Sequence, residues 1–271
     1  MGDIEEDRIY ADTLGKTDLY VATGLGVAEV SVSNDRIGQF SLAHRCNARD
    51  VAVDGTRVLA ATDEDVLAIE TSGPELTVES LDFGPAVSVG VADAPLAAAP
   101  DGTVERARED GWEPLGTAET VRAIDGDLVA SSDGVFRAGE TLERVGLDDA
   151  FDVVGSETPY AATGEGLYRL GPGWTRDLDG DFRMVSAADE QAHAATADAL
   201  YTREGGSWRE REVPTTESIV DIVYVADGGV VGITASGTCL VDPVAAKDGA
   251  SGWRSRSLGL PETTALAVPE Q

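Results

Sequence analysis

Short apolar runs along the chain alternate with polar residues at period two, and Gly, Asp and Pro separate them. Such alternation predicts half-buried β-strands, and the punctuation predicts tight turns. A run that ends in small residues, turns and resumes as a second strand occurs seven times, for example in VATGLGVAEV from Val21 and AATGEGLYRL from Ala161. No stretch has the length and 3.6-residue period of a long helix. The pattern therefore predicts an all-β repeat protein.

The repeats are evenly spaced. Their turns, used as register marks, fall at Gly26, Asp65, Gly102, Gly134, Gly166, Ala199 and Gly237. The intervals of 39, 37, 32, 32, 33 and 38 residues suit a four-stranded antiparallel unit, with two apolar segments before each mark and two after it. The sequence therefore predicts a seven-bladed β-propeller that forms a single domain over residues 1–271, with a core between each pair of blades.

Both ends of the sequence contain a candidate strand for closing the ring. TTALAV from Thr263 follows the outer strand of the last blade and matches an inner strand, and RIYAD from Arg8 matches an inner strand as well. We expect one of them at the axis of blade 1 and the other at an outer edge. Closure by strands from both termini would remove edges that could pair with other chains.

Candidate chemistry comes from an alignment of the inner strands. The strands align on Val53, Val91, Ile124, Val154, Val185, Val223 and Val268. At the position two residues before these aligned residues, four consecutive blades have a charged side chain, namely Arg122, Asp152, Arg183 and Asp221. One hypothesis is a neutral ion-paired arc that satisfies buried polar groups. Another is that the arginines bind a carboxylate or phosphate while the aspartates orient them. A third is acid–base catalysis by the two carboxylates.

A second candidate cluster precedes the inner strand of blade 2. It contains His44, Arg45, Cys46, Arg49 and Asp50. A Cys–His pair could act as a nucleophile and base, but no orienting group is identifiable. The interpretation we favour is a loop that caps a blade interface through pairing of arginine with carboxylates. The other histidine, His193, lies in a predicted strand and is expected to be packed.

The sequence predicts no metal and no cofactor. Asp177, Asp179 and Asp181 have the alternate spacing of a calcium loop, but Phe182 and Ala188 stand where an EF-hand needs Gly and Glu. Two histidines and the absence of a paired CxxC motif argue against a zinc site. The two cysteines are expected to be free thiols.

The net charge is −30, because 50 acidic residues oppose 20 basic ones. The acidic residues are spread through every blade, which favours the surface of a halophile over an acidic domain that binds basic partners. Nucleic acid is an unfavourable partner for this charge. The segment MGDIEED lacks the regions of a signal peptide, and no run of eighteen apolar residues occurs. We therefore expect a cytoplasmic protein with no membrane association.

Two repeats resemble known propellers. GLYRLGPGW from Gly166 and ALYTREGGSW from Ala199 are similar to the GLYRSxDGGxxW hairpin of sialidase-type and photosystem-assembly-type β-propellers. In those proteins the hairpin is structural. The whole chain also resembles an uncharacterised haloarchaeal β-propeller family, which implies the fold and the source but no activity. Four tryptophans follow the third-to-fourth-strand turns, and their repetition predicts a packing role: Trp112, Trp174, Trp208 and Trp253.

The sequence predicts a cytoplasmic β-propeller that acts as a scaffold for a protein partner or a small anionic ligand in a halophile. The alternative is a hydrolase acting on an anionic or sugar-like substrate at the channel mouth. An interaction protein should have an exposed apolar patch on one face. An enzyme should have a deep axial pocket with convergent carboxylates whose pKa values are perturbed.

Overall fold

The protein is a seven-bladed β-propeller in which every blade is a four-stranded antiparallel sheet. The computed structural model describes residues 16–33, 36–73, 75–188, 191–226, 228–243 and 252–269. RIYAD from Arg8, one of the two candidate closing strands, lies outside these residues.

The first fourteen strands are Lys16–Thr23 (β1), Gly26–Ser33 (β2), Arg36–His44 (β3), Ala48–Asp54 (β4), Arg57–Thr62 (β5), Val66–Glu70 (β6), Thr77–Ser80 (β7), Ser88–Val91 (β8), Pro95–Ala98 (β9), Thr103–Arg108 (β10), Gly111–Thr117 (β11), Val121–Asp125 (β12), Leu128–Ser131 (β13) and Gly134–Ala138 (β14). The remaining strands are Leu142–Gly146 (β15), Ala150–Val154 (β16), Tyr160–Thr163 (β17), Gly166–Leu170 (β18), Trp174–Asp179 (β19), Met184–Ala188 (β20), Gln191–Ala195 (β21), Leu200–Glu204 (β22), Ser207–Arg211 (β23), Ile219–Tyr224 (β24), Val230–Thr234 (β25), Thr238–Asp242 (β26), Arg254–Ser257 (β27) and Ala265–Ala267 (β28).

Six blades are formed by consecutive strands, and blade 1 is formed by strands that are distant in sequence. Blades 2 to 7 start with β4, β8, β12, β16, β20 and β24 as their inner strands. In blade 1 the order is β28-β1-β2-β3, so β28 is the inner strand and pairs with β1. Of the two candidate closing strands, TTALAV is therefore the one that contributes the inner strand of blade 1.

Seven hydrophobic clusters fill the spaces between neighbouring blades. Between blades 2 and 3, for example, Leu59 and Ala61 of β5 pack with Val89 and Ala97 of the next blade, and all four are almost fully buried. The other six interfaces have equivalent clusters. Alanines predominate on the second strands, and their small side chains let adjacent sheets approach closely. The prediction of a core between each pair of blades is confirmed.

A hydroxyl at the end of the second strand organises the turn into the third strand. Thr23 Oγ1 donates to the Gly26 carbonyl at 2.7 Å, and Thr163 Oγ1 donates to the Gly166 carbonyl at 2.9 Å. Thr62 and Ser131 make the same bond in blades 2 and 4. A Thr or Ser at this position satisfies a carbonyl that the tight turn would leave unpaired. The Thr or Ser that ends the second strand in these four blades therefore has a local structural role.

The tryptophans pack beneath the outer strands, as the sequence predicts. Trp112 Nε1 donates to the Leu81 carbonyl of the preceding blade at 2.9 Å, and Trp174 Nε1 donates to the Val145 carbonyl at 3.1 Å. Trp253 contacts His193 edge-on, with ring centroids 6.4 Å apart. Trp208 Nε1 donates to Asp177 Oδ2 of blade 5 at 3.3 Å, so each indole joins its blade to the previous one.

Candidate ligand site in the central channel

All seven inner strands line one central channel with a cavity volume of about 720 Å³. The volume is in the range of small-molecule sites in proteins. The walls are mainly Val, Ala and Ile side chains, among which a small number of charged groups stand out: Arg49, Asp50, Arg122, Asp125, Asp152, Arg183 and Asp221.

A β-bulge near the start of four inner strands determines which of their side chains face the channel. In blade 5, the pairing passes from Ala150 with Thr163 to Asp152 with Ala162, so Phe151 is left without a partner. Blades 2, 4 and 7 have the same irregularity, which leaves Arg49, Arg122 and Val220 unpaired. Bulges re-aim side chains and occur often beside functional sites. Here they turn successive residues of the strand toward the channel.

Three arginines form a rim at the start of the inner strands. Arg49 and Arg122 are the bulge residues of blades 2 and 4, and Arg183 directly precedes β20 in blade 6. Their blades alternate around the ring, and all three residues line the cavity. We call Arg49, Arg122 and Arg183 the arginine rim.

Phe151 joins two members of the rim. The guanidinium carbon of Arg183 lies 3.6 Å from the centroid of the Phe151 ring, and that of Arg122 lies 4.1 Å from it. Because Arg122 belongs to blade 4 and Arg183 to blade 6, the ring of blade 5 lies between them. Such cation–π stacking holds a guanidinium in a defined plane.

Each stacked arginine also has a carboxylate partner and keeps donors unused. Arg122 Nη1 lies 2.8 Å from Asp149 Oδ1 and donates to the Ala150 carbonyl at 2.9 Å. Arg183 Nη2 lies 2.6 Å from Asp181 Oδ2. A guanidinium has five N–H donors, so most of those on both side chains are unused by the described residues. Arg49 makes no hydrogen bond or ion pair with any of them.

Three aspartates lie one position beyond the rim and brace neighbouring blades. Asp152 Oδ1 accepts from the backbone N–H of Val153 at 2.9 Å, and Oδ2 accepts from that of Val185 in blade 6 at 2.8 Å. Asp221 accepts from Ile222 and from Leu266 of β28, both at 2.7 Å. These bonds link the inner strand of blade 5 to that of blade 6 and the inner strand of blade 7 to that of blade 1.

Asp50 completes this set in blade 2. Its Oδ1 accepts from Val51 N–H at 2.9 Å, and its Oδ2 accepts from Val89 N–H at 3.0 Å and from the Ser88 hydroxyl at 2.6 Å. We call Asp50, Asp152 and Asp221 the bracing aspartates. They remain partly exposed to the channel although protein surrounds them.

Burial raises the pKa values of the bracing aspartates. The pKa of Asp50 rises to about 6 and that of Asp152 to about 7, from an ordinary value of 3.8. Burial raises the pKa of Asp221 well above that value, and repulsion from Asp152 adds to the effect. The backbone N–H bonds oppose these shifts but do not cancel them. The channel therefore contains carboxyl groups that hold protons near neutral pH.

The channel contains all four residues of the predicted arc, but their relationship differs from the prediction. Arg122 is a bulge residue, whereas Asp152 and Asp221 follow the bulge in their blades, so the alignment that gave them one position is wrong. The ion-paired arc is wrong too. The aspartates bind backbone N–H groups of adjacent blades, and the arginines pair with Asp149 and Asp181 instead.

The second cluster does not assemble into one site. Cys46 packs partly buried against the core between blades 1 and 2, and burial raises the pKa of its thiol, which disfavours the thiolate that a nucleophile needs. His44 ends β3, and only Arg49 reaches the channel. The expected pairing of this loop with carboxylates is also wrong within the described residues, because Arg45 and Arg49 make no such pair there.

The aspartates of the DLDGDF segment diverge. Asp177 pairs with Arg169, Asp179 with Arg176 and Asp181 with Arg183. In the described part of the chain, no group of three His, Cys, Asp or Glu side chains has the geometry to hold a metal ion. Nor does any helix there have the length and apolarity needed to cross a bilayer. His193 is buried, as expected, and its Nδ1 lies 3.0 Å from the Tyr224 hydroxyl.

Sequence reasoning missed the roles of Asp50 and Phe151. The valine-based alignment displaces Asp50 from Asp152 because it matches Val53 with Val154, although Val53 lies three residues after Asp50 and Val154 only two after Asp152. A direct match of ARDVA, AFDVV and IVDIV, from Ala48, Ala150 and Ile219, aligns the bracing aspartates. No comparable signal exists for Phe151, since its importance depends on arginines of two other blades.

Solved structures similar to this chain share its fold. The periplasmic gluconolactonase PpgL of Pseudomonas aeruginosa has a TM-score of 0.66 at 11% identity, over 94% of this chain and 99% of that one. The WD40 β-propeller domain of Doa1 has a TM-score of 0.62 at 14% identity, over 79% and 84%. YCF48 bound to D1 peptide has a TM-score of 0.58 at 11% identity, over 78% and 82%. A search of curated proteins found no significant match.

One family model covers nearly the whole chain. It matches residues 3–269 and is described as "Beta-prop_HVO_0234:-like, beta propeller". The chain therefore belongs to this β-propeller family.

Proposed function

We propose that the protein is a ligand-binding β-propeller that takes a small carboxylate or phosphate anion into the mouth of its central channel. The observation that carries this proposal is the arginine rim, in which three guanidinium groups from alternate blades line one cavity of about 720 Å³. Arginine forks bind carboxylate and phosphate bidentately, and this cavity would exclude much of the competing water.

The surface argues for the channel over a protein-binding face. Among the described residues, the large hydrophobic side chains that are exposed are Leu25, Phe40 and Val78. They belong to three different segments, namely the β1–β2 turn, β3 and β7. A pocket with convergent charged groups is the stronger feature, so a small ligand is the favoured occupant.

The test is isothermal titration of the protein with inorganic phosphate, acetate and citrate at pH 6. Arg49→Ala is the cleanest variant, since the Arg49 side chain makes no hydrogen bond or ion pair with the described residues. It should weaken binding by about tenfold through loss of one charge-assisted contact. Arg209→Ala is the matched control, because Arg209 is an exposed arginine on outer strand β23. Binding that is equal in both variants, or absent from the wild-type protein, would refute the proposal.

Hydrolysis is a second candidate function, supported by one observation. Asp152 lines the cavity and has a pKa of about 7, which suits a general acid or base at neutral pH. PpgL, a gluconolactonase, suggests a sugar lactone as the first substrate to assay. A rate above spontaneous hydrolysis that disappears in Asp152→Asn would support catalysis. A rate equal to the spontaneous rate would refute catalysis and leave ligand binding as the proposed function.

A further inference from the structure

The bracing aspartates provide a second kind of recognition surface inside the same cavity. Each carboxylate oxygen can accept two hydrogen bonds. In Asp152 and in Asp221, each oxygen receives one backbone N–H, so each oxygen keeps one acceptor position. Asp50 Oδ1 likewise receives one bond, from Val51. Five acceptor positions therefore remain on groups that line the channel.

These acceptors restrict what can fill the channel. A ligand that displaces channel water from a carboxyl group must replace the hydrogen bonds of that water, or leave a buried polar group unpaired. An aliphatic chain cannot do so. A hydroxyl group can, because it donates to a carboxylate and can also accept from a protonated carboxyl group.

We propose that the ligand is a polyhydroxylated anion, of the sugar-acid or sugar-phosphate class, whose acidic group binds the arginine rim while its hydroxyls bind the bracing aspartates. The inference rests on the proposed function, because the rim supplies the charge recognition. The rim and the aspartates occupy consecutive positions of the inner strands, so one ligand of a few carbons can meet both. Specificity then follows from the penalty for leaving the aspartates unpaired.

The test uses three probes that separate charge from hydroxyl groups. D-Gluconate has one negative charge and a hydroxylated six-carbon chain, hexanoate has the same charge and chain length without hydroxyls, and D-sorbitol has hydroxyls without charge. Titration of the wild-type protein at one fixed KCl concentration should rank gluconate first, with hexanoate weaker by about tenfold or more. Sorbitol should bind more weakly than gluconate, since it cannot use the arginines.

Each contrary outcome is distinct. Equal affinity for gluconate and hexanoate would overturn this inference and leave the proposed anion site standing. Failure of both anions to bind would overturn this inference, while the titrations with phosphate and citrate would still decide the proposed function. Equal affinity for sorbitol and gluconate would refute recognition by charge.

A variant adds a test of the aspartates themselves. Asp152→Val removes two acceptor oxygens and should reduce the preference for gluconate over hexanoate by about threefold or more. The ratio of the two affinities is the readout, because both probes carry one negative charge and respond alike to the lost carboxylate. An unchanged ratio in the folded variant would contradict the inference. If the variant does not fold, the wild-type ranking still decides.

Discussion

At the residue scale, single side chains in this molecule serve two neighbours at once. Phe151 stacks between arginines of two other blades, and each bracing aspartate accepts N–H groups from two inner strands. Arginines at strand starts are readable in the sequence, and so are aspartates near them. Their partners are not readable, because the contacts join neighbouring blades whose residues lie 33 to 45 positions apart in the sequence.

Removing a bracing aspartate should loosen the contact between its two blades. Asp221→Ala would leave the N–H groups of Ile222 and Leu266 without their protein acceptor. We expect the free energy of unfolding to fall by about 1–3 kcal/mol, as measured by urea denaturation. Glu143→Ala, on the exposed side of β15, is the control and should change stability by less than about 0.5 kcal/mol. Equal effects of the two substitutions would refute the bracing role.

The raised pKa values predict a stability that falls as pH rises. Between the ordinary pKa of 3.8 and the folded value of about 7, the folded state holds a proton on Asp152 that the unfolded state has lost. Unfolding releases this proton, so a rise in pH favours unfolding and stability declines upward through this range. Asp50, with a pKa of about 6, and Asp221 act in the same direction.

His193 opposes this trend at the lower end. Burial lowers its pKa from 6.5 to about 4. The contribution of His193 to folding stability therefore rises as pH rises from about 4 to 6.5. Urea titrations of wild type and Asp152→Asn at pH 5, 6 and 7.5 separate Asp152 from His193, because His193 is common to both proteins. The difference between them contains the titration of Asp152 and its repulsion of Asp221. The wild type should lose more stability than the variant from pH 5 to 7.5. Parallel profiles would show that Asp152 does not titrate there.

At the element scale, the strands follow from the sequence and their exact pairing does not. Period-two alternation and the Thr-containing turns predict each hairpin, since both act within about ten residues. The inner strands also need close contact between blades. Gly90 in β8 lies against β12, where an added Cβ would come within 2.5 Å of Ile124 Cγ2 and 2.8 Å of its carbonyl oxygen.

A methyl group at this contact should force blades 3 and 4 apart. Gly90→Ala is expected to lower the free energy of unfolding by about 1–3 kcal/mol, measured by thermal or urea denaturation, because a well-packed interface relaxes poorly. Gly173→Ala is the matched control, since its added Cβ would meet no atom within 4 Å. Equal stability of the two variants would contradict the described packing of β8 on β12.

At the scale of the whole molecule, ring closure and charge are the dominant features. The repeat period predicts seven blades, and closure places β28 beside β1, where Asp221 also binds Leu266. Arg256 of β27 reinforces the same junction at the outer side through the carbonyl of Ile37 at 2.9 Å. The hydrogen bond from Leu266 to Asp221 joins strands that lie more than forty residues apart in the sequence, so it is recognisable only in the closed ring.

The net charge of −30 predicts that salt stabilises the fold. Repulsion between carboxylates is screened over about 3 Å at molar ionic strength, against about 10 Å at 0.1 M. The midpoint of thermal unfolding should therefore rise between 0.1 M and 2 M KCl. Sodium sulfate at matched ionic strength distinguishes screening from ion-specific effects. A midpoint that is constant or falls with KCl would contradict this reading of the composition.

The central claim is that the arginine rim binds an anion at the channel mouth. The most direct measurement is a crystal structure of the protein soaked in selenate, in which anomalous scattering locates the selenium. We predict a peak in the channel with selenate oxygens within hydrogen-bond distance, about 3 Å, of guanidinium nitrogens of Arg49 and of Arg122 or Arg183. The peak should be absent from Arg49→Ala crystals. Selenate bound only outside the channel, at concentrations that saturate other surface sites, would contradict the account.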